Sequence, residues 1–124
     1  MRDFQVYVED IIEAIDSIEE YTEELTYERF VKDKKTVDAV VRNLEIIGEA
    51  TKHVSQRIRK KYPSVPWRDM AGMRDRLIHG YFGVNLDVVW KTVKERLPIV
   101  KPLIKEALAG MREEEKHEEQ SDKA

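Results

Sequence analysis

The run Arg74-Asp75-Arg76-Leu77-Ile78-His79-Gly80-Tyr81 gathers an arginine, a histidine and a tyrosine within about two helical turns. An always-charged guanidinium holds a phosphate, and an imidazole moves protons near neutral pH. These residue types suffice to cut a phosphodiester without a metal when the nucleophile comes from the substrate. RNA carries such a nucleophile in its 2′-hydroxyl. Cleavage then needs a proton acceptor, a proton donor for the departing 5′-oxygen, and positive charge facing the transition state. His79 can serve either proton role and Arg74 can supply the charge. One motif histidine per chain makes a two-histidine relay awkward unless two subunits face each other. DNA lacks the 2′-hydroxyl and is excluded by this chemistry.

On a helix, Asp75 and His79 are four residues apart and share a face. Asp75 is then placed to accept one ring N–H and fix the imidazole's orientation. Arg76 projects nearby, three residues before His79. Arg74, five residues before it, lies about 140° away around the helix. It reaches the histidine only by wrapping, or across a cleft between two chains. Tyr81 falls beyond the expected helix end, with an accessible hydroxyl. The same Asp-Arg-x-x-His pattern also arises on ordinary salt-bridged helix faces, so spacing alone does not establish a site.

The elements that must position these residues read as helices. Phe4, Val8, Ile11, Ile12, Ile15 and Ile18 recur at three- and four-residue spacing. Val37, Val40, Val41, Leu44, Ile47, Val54 and Ile58 mark a second stripe within a helix over about residues 34–60. Tyr62-Pro63-Ser64-Val65-Pro66 breaks the chain, and Pro66 suits the first turn of a third helix running from about Trp67 to Ile78 and ending near Gly80. Gly72 is expected inside that helix, where it permits close approach at a cost of about 1 kcal/mol. Asn85 caps a fourth helix carrying Leu86, Val89, Trp90, Val93 and Leu97. Pro98 and Pro102 kink or break it before Leu103, Ile104 and Leu108. No strand-like alternation appears. The fold class is all-α, an antiparallel up-and-down bundle of four to five helices over residues 1–110, with a polar, flexible tail over 111–124.

The chain has 124 residues, 41% hydrophobic and 38% charged, which suits one helical domain with a heavily solvated exterior. Without cysteine it has neither disulfides nor a thiolate metal site, and it lacks both a bilayer-spanning run and a signal-peptide core. A cytoplasmic location and no membrane partner are expected. The net charge of −3 conceals an acidic first segment (Glu9, Asp10, Glu13, Asp16, Glu19, Glu20, Glu23 and Glu24) and a basic stretch from Lys52 to Tyr81. The basic stretch is either a set of paired, solvated faces or a polyanion surface around the motif.

Glu45, Glu49 and His53 repeat at four-residue spacing, but the Glu-x-x-His pattern of di-metal bundles is absent, so an intrahelical ion pair is expected and no metal. Trp67 and Trp90 are expected to pack in a core or interface rather than stack bases, and Tyr62 to anchor a loop. Arg76 is a candidate RNA-backbone contact; Arg42 and Arg68 are candidates if they face one cleft.

Arg74-x4-His79-x-Tyr81 resembles the signature of the HepT-like branch of the HEPN superfamily. Further segments agree: Asn43-Leu44-Glu45-Ile46-Ile47-Gly48-Glu49-Ala50 is similar to that family's second helix, and Tyr62-Pro63 with Pro66-Trp67-Arg68 to its inter-helix loop. Met70 to Asp75 and Ile78 to Val84 resemble the stretches around its motif. The likeness spans residues 1–108, with no departure at a motif position. It implies a helical bundle that forms a homodimer with both motifs at one cleft, and a metal-independent ribonuclease acting as the toxin of a type VII-like toxin–antitoxin pair. It implies Arg74 and His79 as catalytic residues, Asp75 as a support, and no cofactor. The implied partner is a nucleotidyltransferase-fold (MNT) antitoxin, which in some relatives transfers AMP onto the tyrosine corresponding to Tyr81. The rival classes are a non-catalytic nucleotide- or RNA-binding module that docks a nucleotidyltransferase, and a purely structural adaptor. The intact Arg74/His79 pair argues against the first, because a pure docking surface has no need of it, and the second predicts indifference to its loss.

Overall fold

The structure, a computed structural model, describes residues 2–73, 75 and 85–123. All of its regular elements among the described residues are helical. In chain order they are α1 (Arg2–Thr22), α2 (Tyr27–Lys32), α3 (Lys34–Lys52), α4 (Gln56–Lys61), α5 (Trp67–Ala71), α6 (Leu86–Lys91), a π turn (Thr92–Arg96) and α7 (Leu97–Lys123). Helix α1 packs against α3 and α7. Tyr7, near the start of α1, stacks on His53 at the end of α3. Lys101 near the start of α7 pairs with Asp16 and Glu19, and Arg112 farther along α7 pairs with Glu9. Rising numbers in α3 and α7 therefore meet falling numbers in α1, which fixes the antiparallel arrangement.

Both stripes read from the sequence form the core. Val8, Ile11, Ile15 and Ile18 of α1 meet Val40, Leu44 and Ile47 of α3, all essentially inaccessible to solvent. Burial of each such side chain contributes about 1.5–3 kcal/mol. Polar groups inside are satisfied locally: the Thr51 hydroxyl donates to the Ile47 carbonyl at 2.6 Å, and that of Thr22 to Ile18 at 2.8 Å.

The helix expected over 34–60 is two helices. Backbone bonding stops at Lys52, and Ser55 caps the next helix by accepting from the Ile58 amide. Arg59 reaches back to the carbonyls of Thr51 (2.8 Å) and Val54 (3.2 Å), so a cation closes the C-terminus of α3. Val54 and Ile58 stay buried across the break, which is why the apolar spacing ran through it. Helix α2 was not anticipated. Thr26 caps its start, and Asp33 both ends it and caps α3 through the Thr36 amide and hydroxyl. Those hydrogen bonds hold the Asp33 carboxyl below its usual pKa. Gly72 is the C-cap of α5 in ordinary right-handed geometry, not an interior helix residue.

Asn85 caps α6 as expected, its side-chain oxygen accepting from the Asp87 and Val88 amides. Pro98 does not interrupt the run of helical residues and lies in the first turn of α7. Proline has no amide to bond the carbonyl four residues back, and the backbone widens into the π turn just before it, with the Leu97 amide donating to Thr92. Pro102 lies within α7. The segment from Met111, expected as a flexible tail, is helical through Lys123. Its first turn is docked: Met111 is buried, Arg112 meets Glu9, and Lys61 pairs with Glu114. Gly110 leaves room for the Tyr62 ring, since a Cβ there would collide with the phenol oxygen. Tyr62 is the loop anchor expected, and burial raises its phenol pKa.

Lys101 ties α7 to α1 through two 2.8 Å contacts, and hydrogen bonding to Asp16 and then Glu19 raises its pKa. Both carboxylates face solvent, so the cluster contributes about 0.5–1 kcal/mol. Lys101→Met should lower stability by about that amount at neutral pH in urea titrations. A raised folded-state pKa gives stability that is complete below the ordinary lysine range, about pH 10, and lost as pH climbs through the folded value. The gap between parent and variant should therefore close in alkali.

Candidate functional site

The approach to the motif is built from α3 and α5. Pro66 precedes α5, Trp67 and Met70 bury against the core, and Met73 packs beside them. The Trp67 indole N–H donates to the Tyr62 carbonyl at 2.9 Å, so the ring is fixed inside and is no base platform. Beyond Gly72, Asp75 is exposed and its carboxylate meets the Lys52 ammonium at 3.3 Å. That contact ties the residue after Arg74 to the end of α3. On the other side of the motif, Asn85 caps α6, Val89 is buried, and Trp90 lies against Phe30 with ring centroids 5.0 Å apart. Lys94 sits over the Trp90 ring at 4.9 Å and donates to the Thr22 carbonyl. Trp90 is half-buried and packs against the core, as the sequence suggested. The motif is thus bracketed in sequence by two anchored segments.

Arg74, Arg76, His79 and Tyr81 lie outside the described residues. Asp75 is the motif residue that is described, and Lys52 is its partner. Twenty-three positions separate the two, so no local spacing rule reveals the pair. Arg42 and Arg68 do not share a depression. Arg42 projects from α3 beside Glu45, at 3.6 Å, in a cleft between α1 and α3 that Tyr7, Asp10, Glu49 and His53 also line. Arg68 borders a shallow depression between α4 and α5 with Gln56, Lys60 and Pro63. Among the described residues the two arginines border different depressions. Glu49 and His53 form the intrahelical pair expected of them, at 3.7 Å, and His53 also stacks on Tyr7 at 4.9 Å between centroids.

A third concavity is apolar. A groove of about 320 Å³ runs between α3, α5, α6 and the start of α7, lined by Leu44, Met70, Met73, Val88, Leu97 and Val100 among others. Val88 and Ile99 on its border are 55% and 67% exposed, unusual for large aliphatic side chains. Among the described residues, no helix is long and apolar enough to cross a membrane.

Residues 11–107 match the family model "Ribonuclease HepT-like". The chain is 55% identical over 100 residues to the "Probable ribonuclease HepT" of Thermococcus cleftensis, covering 81% of this chain and 91% of that protein. Two proteins of Methanocaldococcus jannaschii, each described as "Putative RNase", are 44% and 47% identical over 97 and 100 residues, or 78% and 81% of this chain and 80% and 83% of theirs. No solved structure matches the chain. An all-helical bundle, an Arg-x4-His-x-Tyr run bracketed by anchored helices, and likeness across most of the chain place this protein in the HepT-like ribonuclease family.

Proposed function

We propose that the protein is a metal-independent RNA endonuclease and the toxin of a toxin–antitoxin pair, working as a homodimer with two motifs at a shared cleft. The observation that carries this reading is the intact Arg74-x4-His79-x-Tyr81 motif within a chain of the HepT-like ribonuclease family. Arg74 binds the scissile phosphate and stabilises the charge that builds on it. One His79 accepts the 2′-hydroxyl proton as that oxygen attacks phosphorus, and the other protonates the departing 5′-oxygen, leaving a 2′,3′-cyclic phosphate. Asp75, held by Lys52, supports the motif's first turn. The exposed Val88 and Ile99 beside an apolar groove support association of two copies along the segments that flank the motif.

Neutralisation falls to a nucleotidyltransferase-fold antitoxin that uses ATP. The Tyr81 oxygen attacks the α-phosphorus, pyrophosphate leaves, and the phenolic proton is lost. The attached phosphate puts negative charge beside Arg74 and excludes RNA. Incubation with the antitoxin and labelled ATP should label the parent and not Tyr81→Phe; label on the variant would remove Tyr81 as the acceptor.

The deciding experiment is cleavage of several RNA classes in excess EDTA, with Tyr81 confirmed unmodified by intact mass. Fragments ending in 2′,3′-cyclic phosphate are expected. No cleavage across all classes would overturn the catalytic reading and leave a binding module.

A further inference from the structure

The cations at the end of α3 and on α4 and α5 fall into two groups. Lys52 is held by Asp75, Lys61 by Glu114, and Arg59 is spent on the carbonyls of Thr51 and Val54. Arg57 and Lys60 on α4, and Arg68 on α5, are exposed and meet no carboxylate among the described residues. Arg57 and Lys60 are three apart on α4 and are neighbours on its surface. Lys60 and Arg68 border the same shallow depression, about 640 Å³, with Arg59 at its wall and Asp69 as its acidic member. Cations outnumber carboxylates on this surface, and a polyanion relieves their mutual repulsion.

We infer that the α4–α5 surface formed by Arg57, Lys60 and Arg68 is a docking track for the phosphodiester backbone of single-stranded RNA, delivering it along α5 to the motif. The inference rests on RNA being the substrate. Three features favour a backbone track over a base-reading pocket. The depression is open, as a strand lying on a surface needs. Its aromatic residue, Trp67, is buried and committed to Tyr62, so nothing there stacks a base. Its polar edge is cationic, and cations contact phosphates without regard to sequence. Arg68 lies six residues before Arg74 in the sequence, on the segment leading into the motif. The acidic side chains of α1, Glu13, Glu20 and Glu23 among them, oppose any path across that face.

The test is the triple variant Arg57→Gln, Lys60→Gln, Arg68→Gln against Lys32→Gln, Lys35→Gln, Lys105→Gln. The second set removes the same charge from lysines that are likewise exposed, two of them at the start of α3 and the helix before it. Binding of a fluorescent 20-nucleotide RNA is followed by anisotropy from low to high salt, and cleavage of the same RNA is followed in EDTA. Each phosphate contact on a single strand contributes a slope of about 0.7 in log affinity against log salt. Loss of three should flatten the slope by about 2, weaken low-salt binding about 10- to 100-fold, and raise KM with little change in kcat. The control triple should keep the parent's slope.

Unchanged slope and affinity in the test triple would overturn the track, as would equal losses in both triples. Loss of binding to an acidic protein partner with RNA binding intact would also overturn it, since the surface would then dock protein. A parent that binds with the predicted slope but cuts nothing would keep the track and sink the ribonuclease reading. Cleavage by the parent with no effect of the triple on binding or KM would do the reverse.

Discussion

Replacing His79 with alanine should lower RNA cleavage by about 10²- to 10⁴-fold, the range that one positioned proton donor or acceptor supplies. The upper figure applies if both imidazoles of a dimer act in one event, because each variant dimer then loses acid and base together. The loss should fall on kcat, since a proton in flight is felt only in the transition state. Arg74→Ala should differ by affecting KM as well, because a guanidinium holds the phosphate in the ground state too. Arg74→Lys is a poor rescue, since an ammonium lacks the planar fork that engages two phosphate oxygens. A cleft with two facing histidines, one acting as base and the other as acid, predicts a bell-shaped dependence of rate on pH. It also predicts that mixed dimers of parent and His79→Ala are nearly inactive. Mixed dimers with half the parent's rate would refute shared chemistry and leave each chain working alone. Thermal unfolding measured beside the kinetics should show the variant folded like the parent, and growth arrest by it equal to the parent's would remove His79 from the mechanism.

Much of this architecture was readable in the sequence because amphipathic helices announce themselves by period. The large apolar residues read on α1 and on α3 are in the core or packed against it, and Asn85 sits where a cap was expected. Features lacking a period were missed. Helix α2 is six residues long, less than two full turns, and no spacing rule resolves so short an element. The break between α3 and α4 was hidden because Val54 and Ile58 continue the apolar stripe while the backbone does not. The docking of Met111 could have been seen. Val100, Ile104, Leu108 and Met111 recur at four, four and three, but the charged residues after Met111 outweighed that signal. At the site, motif types and spacing suggested a chemistry, and the likeness along the chain pointed to the family that the comparisons show. The Lys52–Asp75 contact was beyond reach, since it depends on how α3 and the motif approach are packed. Arg42 and Arg68, grouped by charge, lie in different depressions. Charge composition does not encode direction.

Phe30→Ala should cost about 3–5 kcal/mol, the range for removing a fully buried aromatic ring. Phe30 is wholly inaccessible, and its ring is 5.0 Å from that of Trp90, which also lies 6.2 Å from the Tyr27 ring. A six-residue helix does not form on its own propensity, so α2 persists because Phe30 anchors it between the caps at Thr26 and Asp33. Removing the ring therefore opens a cavity and also releases the short helix joining α1 to α3. For a chain of this size the melting temperature should fall by about 10–20 °C, while Phe30→Leu, which refills most of the volume, should lose far less. Trp90 follows the motif by nine residues and takes its position from Phe30, so the two effects are coupled. Below its lowered midpoint, Phe30→Ala should still bind RNA at the α4–α5 surface, whose anchors are Val65, Trp67 and Ile58. Its turnover should fall, because α6 no longer has a fixed seat from which to hold the chain leaving Tyr81. A variant with parental stability would show that the α2 contact is ornamental. A destabilised variant with parental turnover at low temperature would show that the exit from the motif is held by something other than the Phe30–Trp90 pair.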